Sequence, residues 1–244
     1  MKNKKILVIG ESCRDIFIYC DAKRLCPDIP VPVLNELDRA ENAGMAKNVQ
    51  RNIQSLTRPC DIITNKQWYN VTKTRYMHQS SNHMFFRVDT PHDIEPINLK
   101  TIDYHYEIVV ISDYNKGFLS EKDIQTICTK HGNVFLDTKK VLGKWAYNAK
   151  YIKINDYEYQ NSEPYLDDIL KRKIIHTQGD RGCVFQNKDY QVKKVDVKDS
   201  SGAGDSFMAA LVVEYHNSNN IEQSIRFANK CATEAVKQRG VNII

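Results

Sequence analysis

The chain has 244 residues, 41% of them hydrophobic and 27% charged, enough to bury a large core and ordinary enough in composition to exclude a fibrous or disordered chain. A mean hydropathy of -0.53 with no long apolar run argues against a membrane span. The formal net charge of +5 comes from Lys and Arg that are spread rather than blocked, so nucleic acid is not expected as a partner, and a phosphorylated small molecule suits the surplus equally well.

The chain opens with "MKNKK" and then Ile6-Leu7-Val8-Ile9. The basic start resembles a signal peptide, but the apolar stretch is too short and lacks a small-residue cleavage site, so it reads as a first strand over 5–10. The segments 15–34, with Pro27, Pro30 and Pro32, and 70–89, rich in Thr, Tyr, Phe and Val, predict strands of a small separate sheet, within about 13–35 and 70–90. Between them Met45, Val49, Ile53 and Leu56 share one face of a helix from about Gly44. Continuous apolar runs at 107–112, 133–137, 151–154 and 173–177 suit parallel strands buried on both faces. Ser120-x-x-Asp123 starts a helix through Cys128, and the last third predicts helices over 203–216 and 221–237, separated by "NSNN". Alternating strands and helices mean an α/β fold, with a small sheet as a plausible lid. No flexible linker interrupts the chain, so residues 1–244 are expected to form one domain. Seven scattered cysteines form no matched C-x-x-C pairs, which indicates neither a disulfide framework nor a zinc site and makes reduced cytoplasm the expected location.

Three stretches carry chemistry. In "DSSGAGDSFMAAL", from Asp199 to Leu211, glycines at 202 and 204 let consecutive N–H groups point one way at a helix start, forming an anion site. Asp205 in the first turn then lies beside that anion and can take a proton from an attacking hydroxyl. The alternative is a glycine turn with an acid that stabilises a helix start. In "IIHTQGDRGCVF", Thr177, Gly179 and Gly182 can wrap a nucleotide phosphate, or simply close a hairpin. In "YIKINDYEY", Asn155 and Glu158 at a strand end offer hard oxygen ligands for Mg²⁺, or a loop amide and a helix-start acid.

Taken in this order, the stretches resemble the ribokinase-like, or PfkB, carbohydrate kinases, whose late signature D-T-x-G-A-G-D stands here as Asp199-Ser200-Ser201-Gly202-Ala203-Gly204-Asp205. The resemblance implies a mostly parallel central sheet flanked by helices, with a small β-sheet lid. It implies Asp205 as catalytic base, Gly202, Ala203 and Gly204 as the anion hole, "TQGDRG" as a phosphate-contacting turn, "NDYE" as the element serving Mg²⁺ and phosphates, and Asn229 beside an adenine pocket. ATP and Mg²⁺ are the implied cofactors. Activation by K⁺ through carbonyls around Asp199 and Ser201, and a homodimer formed through the lid, are implied as well.

The first half is similar to the heptose 7-phosphate kinases in "CPDIPVP", "NAGMAKNV", the lid segment ending "RVD", "SDYNKG" and "FLDTKK". By that likeness Asp15, Gly44 and Asn48 hold sugar hydroxyls. Lys116 and Lys139, with Arg75 or Arg87, are candidates for the substrate phosphate, although surface Lys and Arg are also commonly just solvated. The chain departs from the family at Met45, where a second glycine is usual, and at Glu11, where Asp is usual. It also passes from "CDIITN" directly into the lid segment, without a helix and strand that relatives carry, which shortens the fold and is expected to remove one sheet edge. It carries no nucleotidyl-transferring domain, so it is not expected to make a nucleotide-sugar alone. The function implied is transfer of the γ-phosphoryl group to the anomeric hydroxyl of heptose 7-phosphate. The alternatives are a kinase of another sugar or a nucleoside, and a nucleotide- or sugar-binding protein that has lost turnover.

Overall fold

The structure, a computed structural model, describes residues 6–56, 58–91, 93–241 and 243. In chain order the elements are β1 (Ile6–Gly10), β2 (Ser12–Leu25), β3 (Pro32–Met45), α1 (Ala46–Ser55), β4 (Cys60–Ile63), β5 (Thr72–His78), β6 (Met84–Asp89), β7 (Ile108–Asp113), α2 (Glu121–Lys130), β8 (Val134–Thr138), β9 (Tyr151–Asn155), α3 (Asp156–Ser162), α4 (Asp168–Lys171), β10 (Ile174–Thr177), β11 (Cys183–Phe185), β12 (Lys188–Tyr190), α5 (Ala203–Ser218) and α6 (Ile221–Ala235).

Eight strands form the central sheet in the order β12-β11-β10-β9-β8-β7-β1-β4. It is parallel from β4 through β10 and ends in an antiparallel hairpin. Its runs are apolar throughout because both faces are covered. Alternate residues divide between two cores, as a period of two requires. Ile6, Val8, Val110 and Phe135 meet Val49 and Ile53 of α1, Leu211 of α5 and Ile225 of α6. Leu7, Ile9, Val109 and Leu136 meet Ile124 and Ile127 of α2 and Leu170 of α4. Helix α5 is apolar on all sides and correspondingly buried along most of its length.

The predicted second sheet is present, in the order β3-β2-β5-β6. Its hairpin is longer than expected: β3 continues to Met45, paired with β2 from Ser12↔Met45 to Leu25↔Pro32, so α1 begins after Met45 rather than at Gly44. The sequence hides this strand because β3 is a sheet edge, largely exposed, and an exposed edge needs no apolar alternation. At the other margin the central sheet ends on β4, where a block was expected to be missing. That edge is blunted: Gln50 and Gln54 of α1 donate to the Cys60 carbonyl (3.1 and 3.2 Å), and the Tyr106 hydroxyl donates to Asp61 (2.7 Å). All seven cysteines are free, and among the described residues no helix is long and apolar enough to cross a membrane.

Candidate active site

Parallel strands deliver their last residues to one edge of a sheet, the usual place for a ligand. Glu11 follows β1, Tyr114 follows β7, Lys139 follows β8, Asn155 ends β9 and Thr177 ends β10. The start of α5 is brought to them by a turn in which the Ala203 N–H donates to the Ser200 carbonyl (3.2 Å). Gly202 takes φ 78° and ψ -1° there, the third position of a type II turn, which glycine occupies without strain. The Ala203 amide is therefore spent on its own turn. Gly204, the second residue of α5, has an amide with no carbonyl partner within the helix.

A cleft of about 630 Å³ opens at this edge. The predicted residues Asp205, Lys139, Asn155, Thr177, Gly179, Gly182 and Asn229 line it together with Gly202, Ala203 and Gly204. The lining joins apolar Val192, Val195 and Val236 to the cations of Lys139, Lys153, Lys193 and Lys194, which suits a ligand with a flat apolar part and a polyanionic part.

Asp205 is 5% exposed. Asn48 Nδ2 donates to its Oδ2 (2.9 Å) and the Tyr114 hydroxyl to its Oδ1 (2.7 Å). Asn52 donates to Asn48 Oδ1 (3.1 Å), which turns the Asn48 amide nitrogen toward the acid. Burial pushes the Asp205 pKa up to about 6, against the two hydrogen bonds, which favour the charged form. The carboxylate is thus ionised at neutral pH yet basic enough to accept a proton. Lys153 lies close by, buried in mid-strand and paired with Asp137 (2.7 Å). A Cβ placed on Gly204 would stand 2.9 Å from its Nζ, so the ammonium lies against the start of α5.

Asp15 of β2 pairs with Arg75 of β5 (2.5 Å). Gly44 faces Cys13 across the hairpin, and a Cβ there would come within 2.0 Å of Asp15 Oδ2, a close approach that demands glycine. Asp15, Gly44 and Asn48 are thus brought to one side of Asp205, with Met45 among them at φ 60° and ψ -132°. Two expected residues are not brought in. Arg87 pairs with Asp89 on its own strand (2.8 Å), and Lys116 is exposed, tied through its amide to Glu11 (2.9 Å); neither lines the cleft.

The sequence pattern of the pfkB family carbohydrate kinases matches residues 110–244. The chain belongs to that family. Curated relatives include the bifunctional protein HldE of Helicobacter pylori strain J99, 29% identical over 97% of this chain and 64% of its own length. The bifunctional protein HldE of Haemophilus influenzae strain PittGG is 24% identical over 100% of this chain and 62% of its own length. The chain therefore spans less than two thirds of these relatives. Among solved structures, Thermotoga maritima ribokinase superposes with a TM-score of 0.70 at 15% identity, covering 97% of this chain and 94% of that one. Arabidopsis thaliana ribokinase complexed with ribose and ATP gives a TM-score of 0.71 at 13% identity, covering 97% and 94%. At such identities these structures establish the ribokinase-like fold.

Within this pfkB chain, "NDYE" is a capping box. Asn155 Oδ1 accepts from the Glu158 amide (2.9 Å), and Glu158 returns a bond to the Asn155 amide (2.8 Å). Glu158 also accepts from Asn155 Nδ2 (3.0 Å) and from Lys139, so its oxygens already have donors. Among the described residues no group of three His, Cys, Asp or Glu is placed to hold a metal. The donor set here fits a Mg²⁺ ion that arrives with phosphate oxygens and water, not a preformed cage around Glu158. Sequence reasoning missed Lys153, Asp137 and Tyr114. A signal existed for Lys153: it interrupts the apolar run "YIKIN", and a charge inside a buried strand needs a partner.

Proposed function

We propose that residues 1–244 form one kinase domain that transfers the γ-phosphoryl group of ATP to a sugar phosphate, at the anomeric hydroxyl of heptose 7-phosphate. The observation that carries this is Asp205, buried at the cleft beside Gly202 and Gly204 and held by Asn48 and Tyr114. The acceptor is suggested by the likeness of the first half of the chain to the heptose 7-phosphate kinases, with HldE proteins among its relatives. In this reading the attacking hydroxyl gives its proton to Asp205 while its oxygen bonds to the γ-phosphorus and ADP leaves. Lys139, Lys153 and the amides at the start of α5 stabilise the charge on the transferred group, so catalysis is chiefly positioning and electrostatics. Bound Mg²⁺ would neutralise phosphate charge, and K⁺ would bind near the loop carbonyls of Asp199 and Ser201. Asp15, Gly44 and Asn48 hold the sugar, and the small sheet acts as a lid over it. Arg75, already on Asp15, suits the substrate phosphate better than Arg87. Lys139 gives one N–H to Glu158 and keeps two more to donate to a phosphate. Seven free cysteines suit a reducing cytoplasm.

The test is ADP release from Mg·ATP over a panel of sugars, sugar phosphates and nucleosides. Turnover is expected with heptose 7-phosphate, and Asp205→Asn should lower kcat by 10²–10⁴-fold, the usual contribution of a general base. Turnover only with another acceptor would replace the substrate and keep the mechanism. ATP binding with no turnover on any acceptor would contradict the kinase reading and leave a nucleotide-binding protein.

A further inference from the structure

We infer that Tyr114 is a positioning residue for Asp205: its phenol, set in place by the Glu11 carboxylate, fixes the plane of the Asp205 carboxyl group and favours its ionised form. The inference rests on Asp205 being the base.

Tyr114 begins the loop that follows β7, a place where a side chain is ordinarily mobile. Here the loop is pinned from below. The buried Glu11 carboxylate accepts the amides of Tyr114 (2.8 Å), Lys116 (2.9 Å) and Phe118 (3.3 Å). This gives a reason for Glu at a position where the shorter Asp is usual: the longer arm spans the loop. The phenol ring packs with Cys13, Met45 and Val71, and the ammonium groups of Lys73 and Lys139 lie 4.9 and 5.4 Å from its centroid. Both cations hold the ring by attraction to its face, although as positive charges they favour the phenolate. Burial and the nearby Asp205 outweigh them and push its own pKa well above the ordinary value, so the phenol keeps its proton to donate.

With Tyr114 on Oδ1 and Asn48 on Oδ2, rotation of the Asp205 carboxyl group would break both bonds, so its orientation is set before an acceptor arrives. Each oxygen retains a second lone pair for that acceptor. Hydrogen bonds to the charged form lower a pKa, so Tyr114 opposes the effect of burial. The other groups bearing on Asp205 are Asp137 of β8, Lys139 after it and Lys153 of β9, with Cys13 of β2 on the sugar side. Asp137 raises the Asp205 pKa and Lys153 lowers it. None of the four makes a hydrogen bond to the carboxylate; Tyr114 and Asn48 do.

The experiment is a carbon NMR titration of protein labelled at the aspartate carboxyl groups, with the Asp205 signal assigned by its absence in Asp205→Asn. The wild-type midpoint is expected near 6, and Tyr114→Phe should raise it by about one pH unit. Glu11→Asp, which shortens the arm, should move it in the same direction by less. An unmoved midpoint in folded Tyr114→Phe overturns the inference; should that variant fail to fold, an unmoved midpoint in Glu11→Asp overturns it equally. With heptose 7-phosphate as acceptor, the acid limb of kcat/KM should shift upward in parallel. A shifted NMR midpoint in a protein inert toward heptose 7-phosphate supports the role of Tyr114 and counts against the substrate alone.

Discussion

Keeping Asp205 ionised in a buried site costs stability, and pH reveals the sign. Its pKa rises from the ordinary 3.8 to about 6 on folding, so the folded state binds the proton more tightly than the unfolded state. The penalty is fully present above about pH 6 and is relieved as pH falls through 6 toward 3.8. It is on the order of 3 kcal/mol. Asp205→Asn removes it but leaves Asn48 or Tyr114 facing an amide nitrogen, which takes back about 1–2 kcal/mol. Urea denaturation should therefore find the variant about 1 kcal/mol more stable at pH 8, with the gain gone by about pH 4; a variant less stable than wild type at pH 8 would contradict this account of the acid. At this scale the sequence was legible where chemistry and backbone agree, as at Gly202 and Asp205. Tyr114 was not legible, because nothing adjacent in the chain distinguishes a phenol aimed at a carboxylate from one on the surface.

The hairpin of β2 and β3 places Gly44 against Asp15, so the register of two strands decides whether the proposed sugar side of the site exists. Gly44→Ala would drive a methyl group into the Asp15 carboxylate, 2.0 Å from Oδ2, and loosen its pair with Arg75. We expect KM for the sugar to rise at least about tenfold with KM for ATP nearly unchanged, and a loss of about 2 kcal/mol; steady-state kinetics with each substrate varied in turn checks the split. Elements were readable where burial writes a pattern. The apolar strands β1, β7, β8 and β9 and the Ser120 capping box of α2 lie where expected. β3 was missed over most of its length because an exposed edge writes none. The Asn155 and Glu158 spacing shows a different ambiguity: one pattern serves a helix cap and a phosphate site alike, and the observed bonds are those of the cap.

Across the whole molecule, the two sheets leave different margins. At the β4 edge Gln50 and Gln54 cover the Cys60 carbonyl and Tyr106 holds the Asp61 side chain. The small sheet instead carries Met84, Phe86 and Val88 along its edge strand β6, 45%, 48% and 51% exposed, and such a stripe suits contact with a second copy. Sedimentation should give a dimer for the wild type and a monomer for Phe86→Asp; a monomeric wild type would refute the contact. The fold was legible because it rests on many buried positions, and the family because the signature over Asp199 to Asp205 stands nearly intact, whereas the acceptor depends on a few polar contacts that the sequence leaves undetermined. Phosphoryl transfer to the anomeric hydroxyl is tested most directly by phosphorus NMR of a reaction containing Mg·ATP, heptose 7-phosphate and the protein. A new phosphomonoester signal coupled to the anomeric proton is expected, formed by wild type and not by Asp205→Asn. ADP with inorganic phosphate alone, or an undiminished signal from Asp205→Asn, would contradict it.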